Sequence, residues 1–563
     1  MQSARLLITA VIILACTLLA GCGSDPAPAD RVTMLLNSMS VEEKVGQVMM
    51  GFFRGPTLSK EQEKRIRELH LGGVILYGSS GNIENTTQVA ALIESIQKTA
   101  IAAGGVPLFV SIDQEGGLVA RLTEGVTLFP GNMALGATGS ESLAARSATI
   151  TANELRALGI TMNFAPVVDV NSNPANPVIG IRSFGSSPED VARLGTAHIV
   201  PYRQWGVICV AKHFPGHGDT DVDSHIGLPI VRHDRARLEA VELFPFRAMV
   251  RAGVPAVMTA HVEVPALDPS ELPATLSGPI LSLLRNEIGF SGLIVTDSMG
   301  MGAIVKGWGI EEASILSFLA GADILLFGAD TGHEPAEQDA IYQALLAAVK
   351  SGRIHMKRLD DSVRRILVAK LGYGVLDYPF PIRSWQASLA SPEHLAVARE
   401  VSVNAITLVR NGKGLLPLSG AAPVPVIWPT EMSKYLQPLL DELPFLVPCL
   451  VPLNPTPEDI ARAVDIVRGA PVALAATYNL DRNAGWLSLL KAVNGDNVAV
   501  IAVRSPYDLL QLPASSTYLA TYSDRPVAMR ALAELLTARI MPRGRLPVEL
   551  PGLYERGWGM TAF

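Results

Sequence analysis

Eight short apolar runs, separated by amphipathic stretches, do most to limit what this chain can fold into. They lie at 45–53, 73–77, 108–112, 161–164, 207–211, 256–260, 293–296 and 323–327. Most are nearly unbroken rather than alternating, as in parallel strands buried on both faces. Between them, stretches such as 61–69, 86–103, 140–158 and 235–252 carry the spacing of amphipathic helices. Eight β units alternating with helices predict an α/β fold, a (β/α)8 TIM-type barrel with long loops. An open doubly wound sheet is the alternative. In a barrel, chemistry gathers at the C-terminal strand ends. Those ends carry Asp113, Lys212, His213, His261 and Asp297.

The pattern breaks after about residue 370 and resumes with six further strand candidates, at 405–409, 424–428, 445–450, 471–478, 497–504 and 516–522. The expected organisation is a catalytic barrel over 32–375, a linker over 376–395 containing Tyr378-Pro379-Phe380-Pro381, and a smaller αβα sandwich over 396–563. Gly412-Lys413 does not close a phosphate loop, because Thr407 stands where glycine is required. Hydrophobic residues make up 48% of the chain, enough for folded cores. A net charge of −7 lacks the basic excess of a nucleic-acid binder.

The N-terminus is an address. Arg5 precedes an apolar run over 6–20, and Leu19-Ala20-Gly21-Cys22 follows. Small residues before a cysteine make 1–21 resemble a bacterial lipoprotein signal that leaves Cys22 as the lipid-attachment site. Residues 22–31 then read as a tether. The expected location is the cell envelope, exported and lipid-anchored. Cys16 leaves with the signal, and Cys209 and Cys449 sit in apolar runs of different domains, as buried thiols rather than a bridge.

The densest polar segment follows the fifth run: Lys212-His213-Phe214-Pro215-Gly216-His217-Gly218-Asp219-Thr220-Asp221-Val222-Asp223-Ser224-His225. Its proline and glycines shape a loop, not a helix. Asp219, Asp221 and Asp223 imitate the start of a calcium loop. Ser224 stands where that loop needs glycine, however, and Ile230 where it needs a glutamate ligand. Zinc-ligand spacing is missing as well, so no metal site is expected. Glycosidic-bond cleavage suits these residues better. It needs a carboxylate to attack the anomeric carbon and an acid to protonate the leaving oxygen. Asp297, just past a strand, is a candidate nucleophile. His225 can serve as acid and then base, and Asp223 can hold its imidazole. By spacing alone, Asp223 capping a turn beside a surface His225 fits slightly better.

A family resemblance bears on that choice. K-H-F-P-G-H-G-D-T over 212–220, then D-S-H over 223–225, resembles the β-N-acetylglucosaminidase branch of the family-three glycoside hydrolases. Ser111-Ile112-Asp113-Gln114-Glu115-Gly116-Gly117 resembles the family's early sugar-binding loop, and Ile179-Gly180-Ile181-Arg182-Ser183-Phe184-Gly185 its next loop. Thr296-Asp297-Ser298-Met299 falls where the family places its nucleophile. The resemblance implies a retaining exo-hydrolase with Asp297 as nucleophile, His225 as acid/base and Asp223 as its partner. Asp113, Arg121, Arg182, Lys212 and His213 would hold a terminal N-acetylglucosamine. His217 and Asp219 would shape the loop, Asp169 would support the barrel end, and His261 has no assigned role. No cofactor is implied. The implied partners are an N-acetylglucosamine-containing glycan or muropeptide and, through Cys22, a membrane. Leu118 departs from the arginine that many relatives carry after Gly-Gly. A phosphorylase, a β-glucosidase and a catalytically silent glycan-binding lipoprotein are the alternatives.

Overall fold

The computed structural model describes residues 28–378, 385–513 and 517–563. Cys22 and the signal segment lie outside them, as do residues 379–384 of the linker. Among the described residues no helix is long and apolar enough to cross a membrane.

The eight expected strands form one parallel sheet. They are β1 (Met49–Phe52), β2 (Gly73–Ile75), β3 (Phe109–Ile112), β4 (Met162–Asn163), β5 (Ile208–Phe214), β6 (Ala256–Thr259), β7 (Leu293–Val295) and β8 (Leu325–Leu326). Each pairs with its sequence neighbour from β1 to β7, and β8 pairs with β1. A Val295–Ile324 bridge joins β7 to β8 and closes the ring. The open doubly wound sheet is thereby excluded. Every residue of these strands is buried, on both faces, which is why their sequence runs are unbroken. Helices begin where side chains cap them. Ser40 and Ser59 form capping boxes with Glu43 and Gln62, and Asn85, Ser140 and Ser187 accept from N3 amides.

Three local expectations are corrected. The first half of run 45–53 ends a helix, Val41–Gln47, because the Ser40–Glu43 box starts a turn just upstream. Residues 28–31 of the expected tether belong to helix Pro28–Ser38, whose Val32 and Leu36 bury against the barrel. The 235–252 helix is two, Arg235–Ala240 and Leu243–Arg251.

A second sheet of six strands follows: β9 (Thr407–Asn411), β10 (Val424–Pro429), β11 (Leu446–Val451), β12 (Ala473–Thr477), β13 (Val498–Ala502) and β14 (Thr517–Ala520). Its order is β9-β14-β13-β12-β10-β11, parallel except for β9. Alternate residues feed two cores. Ala473, Ala475, Val498 and Val500 face one, whereas Leu474, Ala476, Ala499 and Ile501 face the other. The first core also takes in Met133, Ala134 and Ala137 from barrel helix Asn132–Thr138, so the two domains share packed apolar surface. A Cβ at Gly136 would lie 1.8 Å from the Phe184 carbonyl oxygen and 3.1 Å from Pro547, so only glycine permits this approach. Cys209 and Cys449 are buried, separate and unbridged.

Candidate active site

Asp297 follows β7 by two residues. Its Oδ1 accepts the Ser298 N–H at 2.8 Å. Ser298 is fixed from both neighbouring strand ends. Its hydroxyl accepts the Gly328 N–H at 2.8 Å and donates to Asp330, and its carbonyl lies 2.8 Å from His261 Nε2. His261 is fully buried, with Nδ1 2.8 Å from Thr275 Oγ1. Burial pushes its imidazole below the ordinary histidine value, so the neutral ring presents Nε2–H to the Ser298 carbonyl. Burial alone would raise Asp297. The imidazoles of His213 and His261, the Ser298 N–H and His225 outweigh it and hold Asp297 below the usual carboxylate range. The site therefore keeps an ionised carboxylate at a rigid strand tip. Asp330 moves the other way, raised by burial and by the nearby Asp297.

Across the barrel mouth, β3, β4 and β5 supply a lattice of charge. Lys212 Nζ lies 2.8 Å from both Asp113 Oδ1 and Glu115 Oε1. Arg182 forks onto Glu115 at 2.9 and 2.8 Å, and Arg121 reaches Asp113 at 3.3 Å. Arg121 also lies over the Tyr77 ring, 5.4 Å from its centroid. His213 Nδ1 sits 2.7 Å from Asp169 Oδ2, and its Nε2 is 3.5 Å from Arg182 Nη2. Burial would raise Asp113, Glu115 and Asp169. Lys212 and Arg121, Arg182 and Lys212, and His213 respectively hold them down instead. All five residues expected to hold a sugar thus converge on one face, with their donors and acceptors in fixed directions.

The 212–225 segment begins as strand and continues as an irregular loop. Asp169 caps it by accepting the backbone N–H groups of His213 and His217 at 3.2 and 2.8 Å. His217 is buried and lowered to about 4 by that burial. Its neutral ring bridges Thr220 Oγ1 at 2.8 Å and Ser224 Oγ at 3.0 Å. Asp219 takes Ser172 Oγ at 2.9 Å and the ring of His233. The loop's far end docks on the helix after Asp297. Lys306 Nζ donates to the Ile226 carbonyl at 2.8 Å, and the Ala303 N–H reaches the Ser224 carbonyl at 3.3 Å. A Cβ at Gly302 would fall 2.7 Å from the His225 carbonyl oxygen, so the glycine lets the loop lie down there. Here Asp223 Oδ1 accepts both the His225 N–H, at 2.9 Å, and Nδ1–H, at 2.8 Å. With Nδ1–H held by the carboxylate, Nε2 is the nitrogen left to give or take a second proton, on a side chain 60% exposed. The β5 loop and the helix that follows the β7 end are thus brought together, and His225 is among the groups that hold Asp297 low.

Comparison with known proteins shows the family. The model for the glycosyl hydrolase family 3 N-terminal domain matches residues 40–369. The chain belongs to glycoside hydrolase family 3. This family 3 hydrolase is 35% identical to "Beta-hexosaminidase A" of Pseudoalteromonas piscicida over 552 residues, 87% of this chain and 91% of that one. A solved family 3 β-N-acetylglucosaminidase from Paenibacillus sp. str. FPU-7 superimposes with a TM-score of 0.85 at 40% identity, over 91% of this chain and 99% of that one. A "Beta-hexosaminidase" from Alkalilimnicola ehrlichii, 37% identical, matches 57% of this chain and 92% of its own length.

Sequence reasoning passed over three groups in this hydrolase. Glu115 lay within a motif and was given no role, yet its buried carboxylate joins Arg182 to Lys212. Tyr77 and Asp330 stand just beyond the second and eighth strands. The rule that picked out Asp113 and Asp297, an ionisable group past an apolar run, would have found Asp330, whereas Tyr77 ends the run 73–77 itself. Glu115→Gln is expected to cost roughly 3–5 kcal/mol, because it leaves two buried cations short of an anion. Chemical denaturation at pH 7 measures this. The sign follows from the depressed carboxyl: its stabilisation is present above the ordinary glutamate value and is lost as pH falls through the lower folded value. The wild-type and variant curves should therefore converge in acid, and a constant gap down to pH 3 would refute the assignment.

Proposed function

We propose that the protein is a retaining, exo-acting β-N-acetylglucosaminidase with Asp297 as nucleophile and the Asp223–His225 pair as acid and base. The observation that carries this reading is the 2.8 Å Asp223–His225 contact on a loop seated against the helix that follows Asp297. Asp297 attacks the anomeric carbon of a terminal β-linked N-acetylglucosamine as His225 Nε2–H protonates the departing oxygen. The bond to the leaving group breaks and an Asp297–sugar ester forms. His225, now neutral at Nε2, takes a proton from water, whose oxygen attacks the same carbon and frees Asp297 with the β configuration kept. Asp223 supports the imidazolium present before the first step and restored by the second. Asp113, Arg121, Arg182, Lys212 and His213 hold the sugar through its hydroxyls, since paired carboxylates and cations match neighbouring hydroxyl groups. The relatives named for β-hexosaminidase and β-N-acetylglucosaminidase activity support the choice of sugar.

The substrates we infer are peptidoglycan fragments, N-acetylglucosamine–anhydro-muropeptides or their non-anhydro forms. A slow fluorinated N-acetylglucosamine donor should leave a covalent adduct on the peptide containing Asp297, read by mass spectrometry. An adduct elsewhere, or none with turnover intact, overturns the mechanism. One observation favours a second reading. The acid/base is an imidazole rather than a carboxylate, and it repels phosphate less, so phosphate could replace water as acceptor. Turnover of a chromogenic N-acetylglucosaminide with and without phosphate separates hydrolysis from phosphorolysis, and a parallel glucoside assay separates it from β-glucosidase activity. We further propose export to the cell envelope with lipid on Cys22. Fatty-acid labelling of the protein in cells should disappear in Cys22→Ala, and persistence of the label would sink this.

A further inference from the structure

A hairpin leaves β3 and carries three groups of the sugar pocket. Asp113 is at its root, Glu115 on its first arm, Gln114–Gly116, and Arg121 just past its second, Val119–Ala120. The barrel holds both arms. The Gln114 backbone exchanges two hydrogen bonds with the Asn163 side chain, each 2.9 Å, and the Gln114 side chain bridges to Arg121 and Leu122. The tip turns through Gly116 at φ +89° and Gly117 at φ +54°. A Cβ at Gly117 would stand 2.5 Å from the Pro130 carbonyl oxygen. That turn aims the Gly117 and Leu118 carbonyls outward, and the second domain meets them. Arg525 Nε donates to Gly117 O at 2.6 Å and Arg525 Nη2 to Leu118 O at 3.3 Å.

Arg525 is placed for this contact. It precedes helix Pro526–Leu536, and its N–H donates to Ser523 Oγ at 3.2 Å. The adjacent Asp524 carboxylate is taken by Arg504 at 2.7 Å. Among the described residues no carboxylate forms an ion pair with Arg525, so two arms of its planar fork go to the hairpin tip. Such charge-assisted bonds are directional as well as strong. Tyr507 with Asn171, and Arg482 with the Pro177 carbonyl, tie the same domain to the loop that carries Arg182.

We propose that Arg525 is a positioning residue for substrate: the second domain sets the pose of the β3 hairpin and, through it, Glu115 and Arg121 at the sugar. The proposal rests on the reading that Asp113 and Arg121 of this hairpin, together with the Arg182 and Lys212 that Glu115 pairs, hold the terminal sugar. Asp297 and His225 sit on other loops, so losing the clamp loosens binding more than chemistry. Arg525→Ala should raise KM for a chromogenic N-acetylglucosaminide on the order of ten-fold while kcat stays within about three-fold. The melting temperature should move little. Arg525→Lys should recover only part of the KM, because an ammonium cannot serve both carbonyls with a flat fork. Hydrogen exchange over 114–122 should quicken in Arg525→Ala in either case. An unchanged KM with unchanged exchange, or a fall in kcat and melting temperature together, overturns the proposal. Failure of the functional reading looks different: wild type itself turns over no N-acetylglucosaminide, and exchange alone then decides the clamp.

Discussion

Asp297→Asn is expected to lower kcat/KM by about 10⁴-fold or more, with the protein still folded. The substitution keeps the shape of the side chain and its contact with the Ser298 N–H but removes the lone-pair charge that would form the ester. The scaffold behind it is independent of that charge: Ser298 is held by Gly328, Asp330 and His261. Thermal unfolding should therefore stay within a few degrees of wild type. The pH profile supplies a second check. Asp297 is held below the ordinary aspartate value, and only its ionised form attacks. Activity must persist on the acid side and fall only as pH drops through that depressed value. An acid limb above the ordinary aspartate value would point to a different carboxyl, and Asp330, raised by burial, is the one at hand. A variant retaining a tenth of wild-type activity would remove Asp297 from the role.

Removing the imidazole has the second largest expected effect. His225→Ala should lose about 10²–10⁴-fold in kcat for a sugar leaving group. With nitrophenolate, which departs without help, glycosylation should suffer far less and the covalent intermediate should accumulate. Asp223→Asn tests how the ring is aimed. Asp223 Oδ1 accepts both the His225 backbone and ring N–H groups. An amide at that position can present the wrong partner to Nδ1, and a loss of up to about 10⁴-fold is expected although nothing has left the substrate's reach. Equal losses for nitrophenyl and disaccharide substrates in His225→Ala would mean that the residue does not donate the proton.

Much of the architecture was legible in the residues. Unbroken apolar runs such as 293–296 can be satisfied only where both faces of a strand are buried, and eight of them between helices leave little choice beyond a barrel. Boundaries were less legible. Val45 looks like part of a strand, but the Ser40–Glu43 box had already started a helix through Gln47. The break at Val241–Glu242 in the 235–252 helix follows no strong signal in the sequence. Glu115 was visible without its role, since a carboxylate between glutamine and glycine says nothing of the two cations it meets from β4 and β5.

Residue types, their order and their local periods, which act over a few positions, determined the barrel, the second α/β domain and the shortlist of ionisable groups at strand ends. Only the folded chain decided which of those groups share a mouth. Lys212 meets an aspartate 99 positions away, and Arg525 a carbonyl 408 positions away. Such pairings depend on the direction in which each loop leaves its strand and on backbone close approaches such as Gly302 beneath His225. No short-range pattern encodes those directions, because contact between remote loops is set by the closure of the whole barrel and the seating of one domain on the other.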